Sequence, residues 1–353
     1  MPRPPTPLPD ELTTVPPAER PPGRLVSVPP AGPVHTVPAL RAAGLSRQRT
    51  RASDLVGVGH GLRAPAGIPP DRLAHLRALV ALTPGSPVAS HATAAWLWGM
   101  WVPRRLADPA PVHLSVTRTD GGRPRRPGVA SHWIAADAPT AMVAGVPVTC
   151  PAWTWTDLAT QLVPWGRPRS VPAAVEERAL EDVVVAAESL LQTPHGAAGR
   201  REPGEHPRCT VAELADAVAW RRNVRGVRLL RAALPLLREG SGSPAESRLR
   251  LRLTAAGFPE PAMNRRIVLP DGTGIMPDLV WEDARVCLEY EGDHHRTDAA
   301  QFRADITRVR RLEAADWTCL RAAGDVWTDG GFRVLQADLA RALTRTRGQE
   351  RFL

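Results

Sequence analysis

Apolar positions change their period repeatedly along this 353-residue chain, and each change predicts an element. From His35 to Gly44 a short apolar stripe stopped by glycine predicts a helix, and Ser46 can cap a second helix running to Asp54. The glycine-laden run from Val56 to Arg63 predicts a hairpin. Asp71 to Leu82 and Ser90 to Met100 read as two helices, the second ended by Pro103. Strand-like runs follow at Val112 to Val116, Val129 to Ile134 and Val146 to Thr149. Helical periodicity then returns over Ala152 to Leu162, Ala173 to Leu191, Val211 to Trp220 and Val227 to Leu237.

Beyond Glu239-Gly240-Ser241-Gly242-Ser243, a linker by composition, the pattern changes character. It predicts a helix (Pro244 to Ala256), a strand (Ala262 to Leu269), a turn at Pro270-Asp271-Gly272 and two more strands (Gly274 to Trp281, Arg285 to Glu291). A helix (Asp298 to Ala315), a strand (Thr318 to Ala322) and a last helix (Gly331 to Leu343) follow. This αβββαβα order predicts an α/β sandwich. The whole chain is therefore expected to be α/β and multi-domain. A disordered Pro-rich tail (1–34) should precede a winged-helix-like unit (35–66) and an α+β domain (67–192). A mobile loop with linking helices (193–242) then leads to the sandwich (243–353).

Charge points the chain towards a polyanion: the formal net charge is +9 and the pI about 10.9,. Yet no lysine occurs, so all 45 basic residues are arginine. With the wealth of Ala and Pro, this reads as the codon bias of a GC-rich genome, which accounts for part of the basicity. The four cysteines, Cys150, Cys209, Cys287 and Cys319, show no metal-binding or redox spacing, and a reduced cytoplasm is expected,. No apolar run approaches the ~20 residues that cross a bilayer.

Two features of the first half invite a nucleic-acid reading. If the helix after Ser46 belongs to a helix-turn-helix with the hairpin as its wing, Arg47, Arg49 and Arg51 face the major groove; otherwise they form a solvated basic face. Trp96, Trp98 and Trp101 sit among Ala, Leu and Met, which favours core packing over base stacking.

The chemistry concentrates between Met276 and Arg296. Alternation along the third strand of the sandwich puts Val286, Leu288 and Tyr290 on one face and Cys287, Glu289 and Glu291 on the other. Glu289 and Glu291 are then about 7 Å apart by the strand rise of ~3.3 Å per residue. Asp278, after Pro277, can lie alongside on the preceding strand. Carboxylates gathered in one space either stay exposed or bind a cation, and hard oxygen donors suit Mg²⁺. Glu246 has two readings: the third position of a capping box begun by Ser243, or a member of the acidic site, since it shares a stripe with Leu249 and Leu253.

On Pro277-Asp278, the stretch Glu289-Tyr290-Glu291-Gly292-Asp293-His294-His295 and the helix motif Asp305 to Arg308, the segment from about Ser243 onward resembles the very-short-patch-repair-like endonucleases of the PD-(D/E)XK superfamily. The resemblance implies a restriction-endonuclease-like fold, a DNA substrate and Mg²⁺ (or Mn²⁺). It implies Asp278 and Glu289 as metal ligands, with Glu246 completing the site. Glu291 stands where many members carry lysine. His294 or His295 is the substitute candidate for handling the proton, and Arg296 and Arg308 are candidates for phosphate contact. Upstream, Arg41 to Arg47 and the stretch Gly145 to Ala159 are similar to the antitoxin-like winged-helix proteins of type IV toxin-antitoxin systems, which implies DNA binding. Two functions are therefore expected: a Mg²⁺-dependent DNA endonuclease, or a non-catalytic DNA-binding regulator that retains a nuclease fold.

Overall fold

The computed structural model describes residues 32–107, 111–120, 122–163, 172–192, 208–221, 223–292 and 299–349. Most of the expected tail and of the loop beginning at Thr193 lies outside these residues, as do His294, His295 and Arg296. The chain divides into two compact units, Met1–Val183 with Ala212–Arg231, and Val184–Val211 with Ala232–Leu353. The architecture is mixed α/β, with four sheets and eleven α-helices among the described residues. No helix there is long and apolar enough to cross a membrane.

The first unit opens with β1 (His35–Thr36), α1 (Val37–Ala42), β2 (Leu55–Gly59) and β3 (Leu62–Pro65). The three strands form an antiparallel sheet in the order β1-β3-β2. Thr36 Oγ1 caps α1 by accepting the Ala39 N–H at 3.1 Å,. The helix expected from Ser46 to Asp54 is instead a single 3-10 turn, Arg49–Arg51. Local side chains take the place of a longer helix. Ser46 Oγ accepts the Arg49 N–H at 3.0 Å, Arg49 donates twice to Asp54 at 2.8 Å, and Arg63 Nε takes the Thr50 carbonyl at 2.9 Å,.

Next come α2 (Arg72–Leu82), β4 (Val88–Ala89), α3 (His91–Leu97), α4 (Arg104–Ala107), β5 (Val112–Val116) and β6 (Val129–Trp133). They are followed by β7 (Thr140–Val143), β8 (Val146–Thr149), α5 (Pro151–Leu162), α6 (Ala173–Leu191), which passes into the second unit after Val183, α7 (Val211–Trp220) and α8 (Val227–Ala233). The sheet order is β6-β5-β4-β8-β7. The pairs β5–β6 and β4–β8 are parallel, and the other neighbours are antiparallel. Neither β4 nor β7 is visible in the periodicity. β4 is two residues long, and β7 is set by the tight Ala144-Gly145 turn, where both residues have positive φ (49° and 73°),. Leu73 and Leu76 of α2 and Ala94 and Leu97 of α3 pack with Leu114, Val146 and Val148 of the sheet. Trp98 belongs to this packing, its Nε1 donating to the Thr149 carbonyl at 2.8 Å.

In the second unit α9 (Pro244–Ala255) leads to β9 (Ala262–Met263), β10 (Ile267–Val268), β11 (Gly274–Ile275), β12 (Leu279–Trp281) and β13 (Val286–Tyr290). The chain continues through α10 (Ala299–Ala314), β14 (Thr318–Ala322), a 3-10 turn (Gly324–Trp327) and α11 (Asp329–Gln349). Each of the first two strands expected here is split in two, because β10 and β11 leave the main sheet to pair with each other. The main sheet runs β14-β13-β12-β9, with β13–β14 parallel and the remaining pairs antiparallel. Both faces are covered, so its central strands read as continuous apolar runs. Leu279, Trp281, Val286 and Leu288 pack with Leu249 and Leu253 of α9 and Leu335 and Leu339 of α11. Val280 and Cys287 face the other way, towards Leu312 of α10 and the β10–β11 hairpin.

Candidate functional site

The second unit places Asp278 immediately before β12 and Glu289 near the end of β13. The register pairs Leu279 with Leu288 and Val280 with Cys287. Alternation therefore sets Asp278 and Glu289 on the Cys287 face, beneath α10, as the strand pattern predicts. Asp278 Oδ2 accepts the Tyr290 backbone N–H at 2.7 Å. Glu289 is mostly buried and forms an ion pair with Arg308 of α10. Burial pushes the Asp278 carboxyl above its ordinary range, while the Tyr290 N–H and the Arg308 charge pull it back,.

Glu246, on the first turn of α9, is buried beside this pair. Ser243 Oγ accepts its backbone N–H at 3.2 Å, which completes half of the expected capping box. The other half differs: Glu246 Oε2 takes the N–H of Gly242 at 2.7 Å and the side-chain amide of Asn264 at 2.6 Å. Burial raises its carboxyl first, the Asp278 charge second, and these hydrogen bonds oppose both. A carboxylate that feels its neighbour's charge in this way stands in the same electrostatic space. Glu246 thus combines a capped backbone N–H with a carboxylate that lies in the field of Asp278.

Glu291 makes a different ion pair from Glu289. It is half exposed and pairs with Arg321 of β14 at 2.9 Å. Tyr290 lies on the α9–α11 face, its hydroxyl accepting from Trp327 Nε1 at 2.8 Å. In the first unit, Arg47 and Arg51 are exposed, whereas Arg49 is largely covered and held by Asp54. A cavity of about 370 Å³ near Arg266, Leu269, Arg285 and Trp317 is lined by none of the four carboxylates.

Sequence reasoning passed over three histidines of the first unit. His91 opens α3, His113 lies on β5 and His132 on β6, and one ring nitrogen from each falls within 4.8 Å of the others. Among the described residues this is the only set of three or more His, Cys, Asp or Glu side chains so close; the acidic cluster is more open. His113 Nδ1 is 2.9 Å from His132 Nε2, and the rings of His91 and His132 stack at 3.7 Å. Burial lowers all three imidazoles, His113 to about 4. Each histidine sits alone in its own element, so only tertiary proximity reveals the group.

No protein-family model matches this sequence, and no curated protein matches it either.

Proposed function

We propose that the second unit is a PD-(D/E)XK-type nuclease domain of the very-short-patch-repair-like class, hydrolysing DNA phosphodiester bonds with Mg²⁺ or Mn²⁺. The observation that carries this reading is that Asp278, just before β12, shares its electrostatic surroundings with Glu246 of α9 and with Arg308, the ion-pair partner of Glu289 on β13. The element order αβββαβα and the mixed four-stranded sheet support it as well.

The donor set suits a hard divalent cation. Asp278 and Glu246 are buried carboxyls, both raised by desolvation, with the Asp278 charge raising Glu246 further. A bound cation would relieve that repulsion. Asp278 and Glu289 would hold it, and Glu246 would close the acidic set. When bound, such a metal polarises a phosphoryl oxygen and lowers the pKa of a coordinated water. Asp278 is kept in orientation by the Tyr290 N–H, which leaves its other oxygen for the ion. Arg308 supplies positive charge next to Glu289 but cannot take up a proton,. His294 or His295, outside the described residues, is the candidate for that step. The net charge of +9 favours DNA as partner,.

The second reading, a DNA-binding regulator without catalysis, is favoured by two observations. Arg308 already neutralises Glu289, and the chain has no lysine for the motif position held by Glu291.

Incubating the purified chain with supercoiled plasmid and Mg²⁺ or Mn²⁺ tests both. The nuclease reading expects nicking that Asp278→Ala and Glu289→Ala abolish. Undiminished nicking in both variants would overturn the assignment, and DNA binding without nicking in either metal would establish the regulator.

A further inference from the structure

We propose that the first unit carries a transition-metal site, selective for a borderline ion such as Zn²⁺, built from His91, His113 and His132. The site is separate from the acidic cluster and does not depend on the nuclease reading.

Its geometry is assembled from three elements. On the parallel pair β5–β6, His113 is in register with Ala130 and Ser115 with His132, so the two histidines are diagonal neighbours on one face. α3 delivers His91 onto the same place, stacked on His132 at 3.7 Å. A tetrahedral Zn²⁺ with Zn–N bonds of about 2.0–2.1 Å needs nitrogens roughly 3.3 Å apart. Ligand atoms already lie within 4.8 Å, and because the three ring planes are stacked at 19–20° the rings must turn for their lone pairs to meet at one ion. Without an ion, His113 Nδ1 and His132 Nε2 share a hydrogen bond at 2.9 Å. A metal would break that bond: the ring carrying the shared proton moves it to its other nitrogen, so that both lone pairs can face the ion.

The surroundings resemble a support shell. His91 Nδ1 lies 3.0 Å from Ser90 Oγ and 3.7 Å from Asp157 Oδ2, and Asp157 is itself buried and ion-paired with Arg221. His113 Nε2 lies 3.1 Å from Gln161 Nε2, and Gln161 Oε1 accepts the Ala92 N–H at 3.1 Å; with a metal on His113 Nδ1, the Gln161 amide would turn over to accept the ring N–H,. Asp157 and Gln161 are one turn apart on α5, so a single helix face steadies two of the three rings. His91 also has φ of +53°, a left-handed backbone that a non-glycine residue holds only when its surroundings impose it,.

Three imidazoles without a cysteine or a bound carboxylate form a donor set for Zn²⁺, Co²⁺ or Ni²⁺ and a poor one for Mg²⁺. His113 and His132 are only partly buried, which leaves a fourth position open to water or a small ligand,.

The test uses the full chain stripped of metal, in an Asp278→Asn, Glu289→Gln background so that the acidic cluster does not compete. Titration with Co²⁺ in excess Mg²⁺ should give one equivalent per chain, with visible absorption bands of tetrahedral intensity. Zn²⁺ should abolish those bands. His132→Gln should remove the bands, and Gln161→Ala should weaken Co²⁺ binding about 10- to 100-fold. Absence of the bands in this background, with all three histidines intact and its fold verified by circular dichroism, would overturn the proposal. So would one equivalent bound unchanged in His132→Gln.

Discussion

Asp278 Oδ2 accepts the backbone N–H of Tyr290 at 2.7 Å, so an acid at the end of one strand completes the hydrogen bonding of its neighbour. The same side chain is therefore part of the sheet and part of the acidic site. Asp278→Asn keeps an acceptor for this N–H, whereas Asp278→Ala removes it. Urea unfolding should show Asp278→Ala less stable than Asp278→Asn by about 1 kcal/mol, while the nuclease reading expects both to lose nicking. Equal stabilities would show that the Tyr290 bond contributes nothing.

The raised carboxyl of Glu246 fixes the sign of a pH effect. Its native pKa lies above the unfolded value, so just above the ordinary glutamate range the native state keeps a proton that the unfolded chain has released. Its contribution to stability is complete below that range and is lost as pH rises through the raised value. Urea midpoints measured in EDTA should show this decline, and Asp278→Asn should shrink it by removing one of its causes. An unchanged pH slope in Asp278→Asn would separate the two carboxylates electrically.

Glu188 and Arg250 form a fully buried ion pair at 2.5 Å inside the second unit, their side chains 0% and 1% exposed. Arg250 also donates to Glu260 at 2.6 Å and to the Leu236 carbonyl at 2.9 Å, while Glu188 accepts the Arg238 N–H at 2.9 Å. Removing one partner leaves an uncompensated buried charge. Arg250→Ala should lower unfolding free energy by about 3–5 kcal/mol, read from chemical denaturation. A loss below 1 kcal/mol, by the same scale, would mean that water reaches the pair.

Two adjacent glycines at the start of α11 should respond in opposite directions. A Cβ on Gly331 would collide with the Asp325 carbonyl of the preceding 3-10 turn, whereas one on Gly330 meets nothing within 4 Å. Gly331→Ala should destabilise by about 1–3 kcal/mol. Gly330→Ala should be neutral or stabilise by up to ~1 kcal/mol through helix propensity. Thermal melts of the two variants distinguish them, and a stabilised Gly331→Ala would refute the close approach.

The sequence alone determined most of the elements, because amphipathic helices and apolar strands carry their period locally. Asp71, Ser243 and Pro244 mark helix starts by their own chemistry, and β5, β8 and β14 coincide with their apolar runs. It also determined which face of β13 carries Glu289, since a period of two leaves no choice. Tertiary structure decided what periodicity does not encode. Competing bonds from Asp54 and Arg63 reduced a helix around Arg49 to one turn, and β10 and β11 separated from the main sheet to pair with each other. It gave Glu291 an ion-pair partner in Arg321, the residue opposite Glu289 on β14. It also joined His91, His113 and His132, up to 41 positions apart by their numbering, into one group. Local pattern fixes a residue's element and face; which distant side chain it meets depends on how those faces pack.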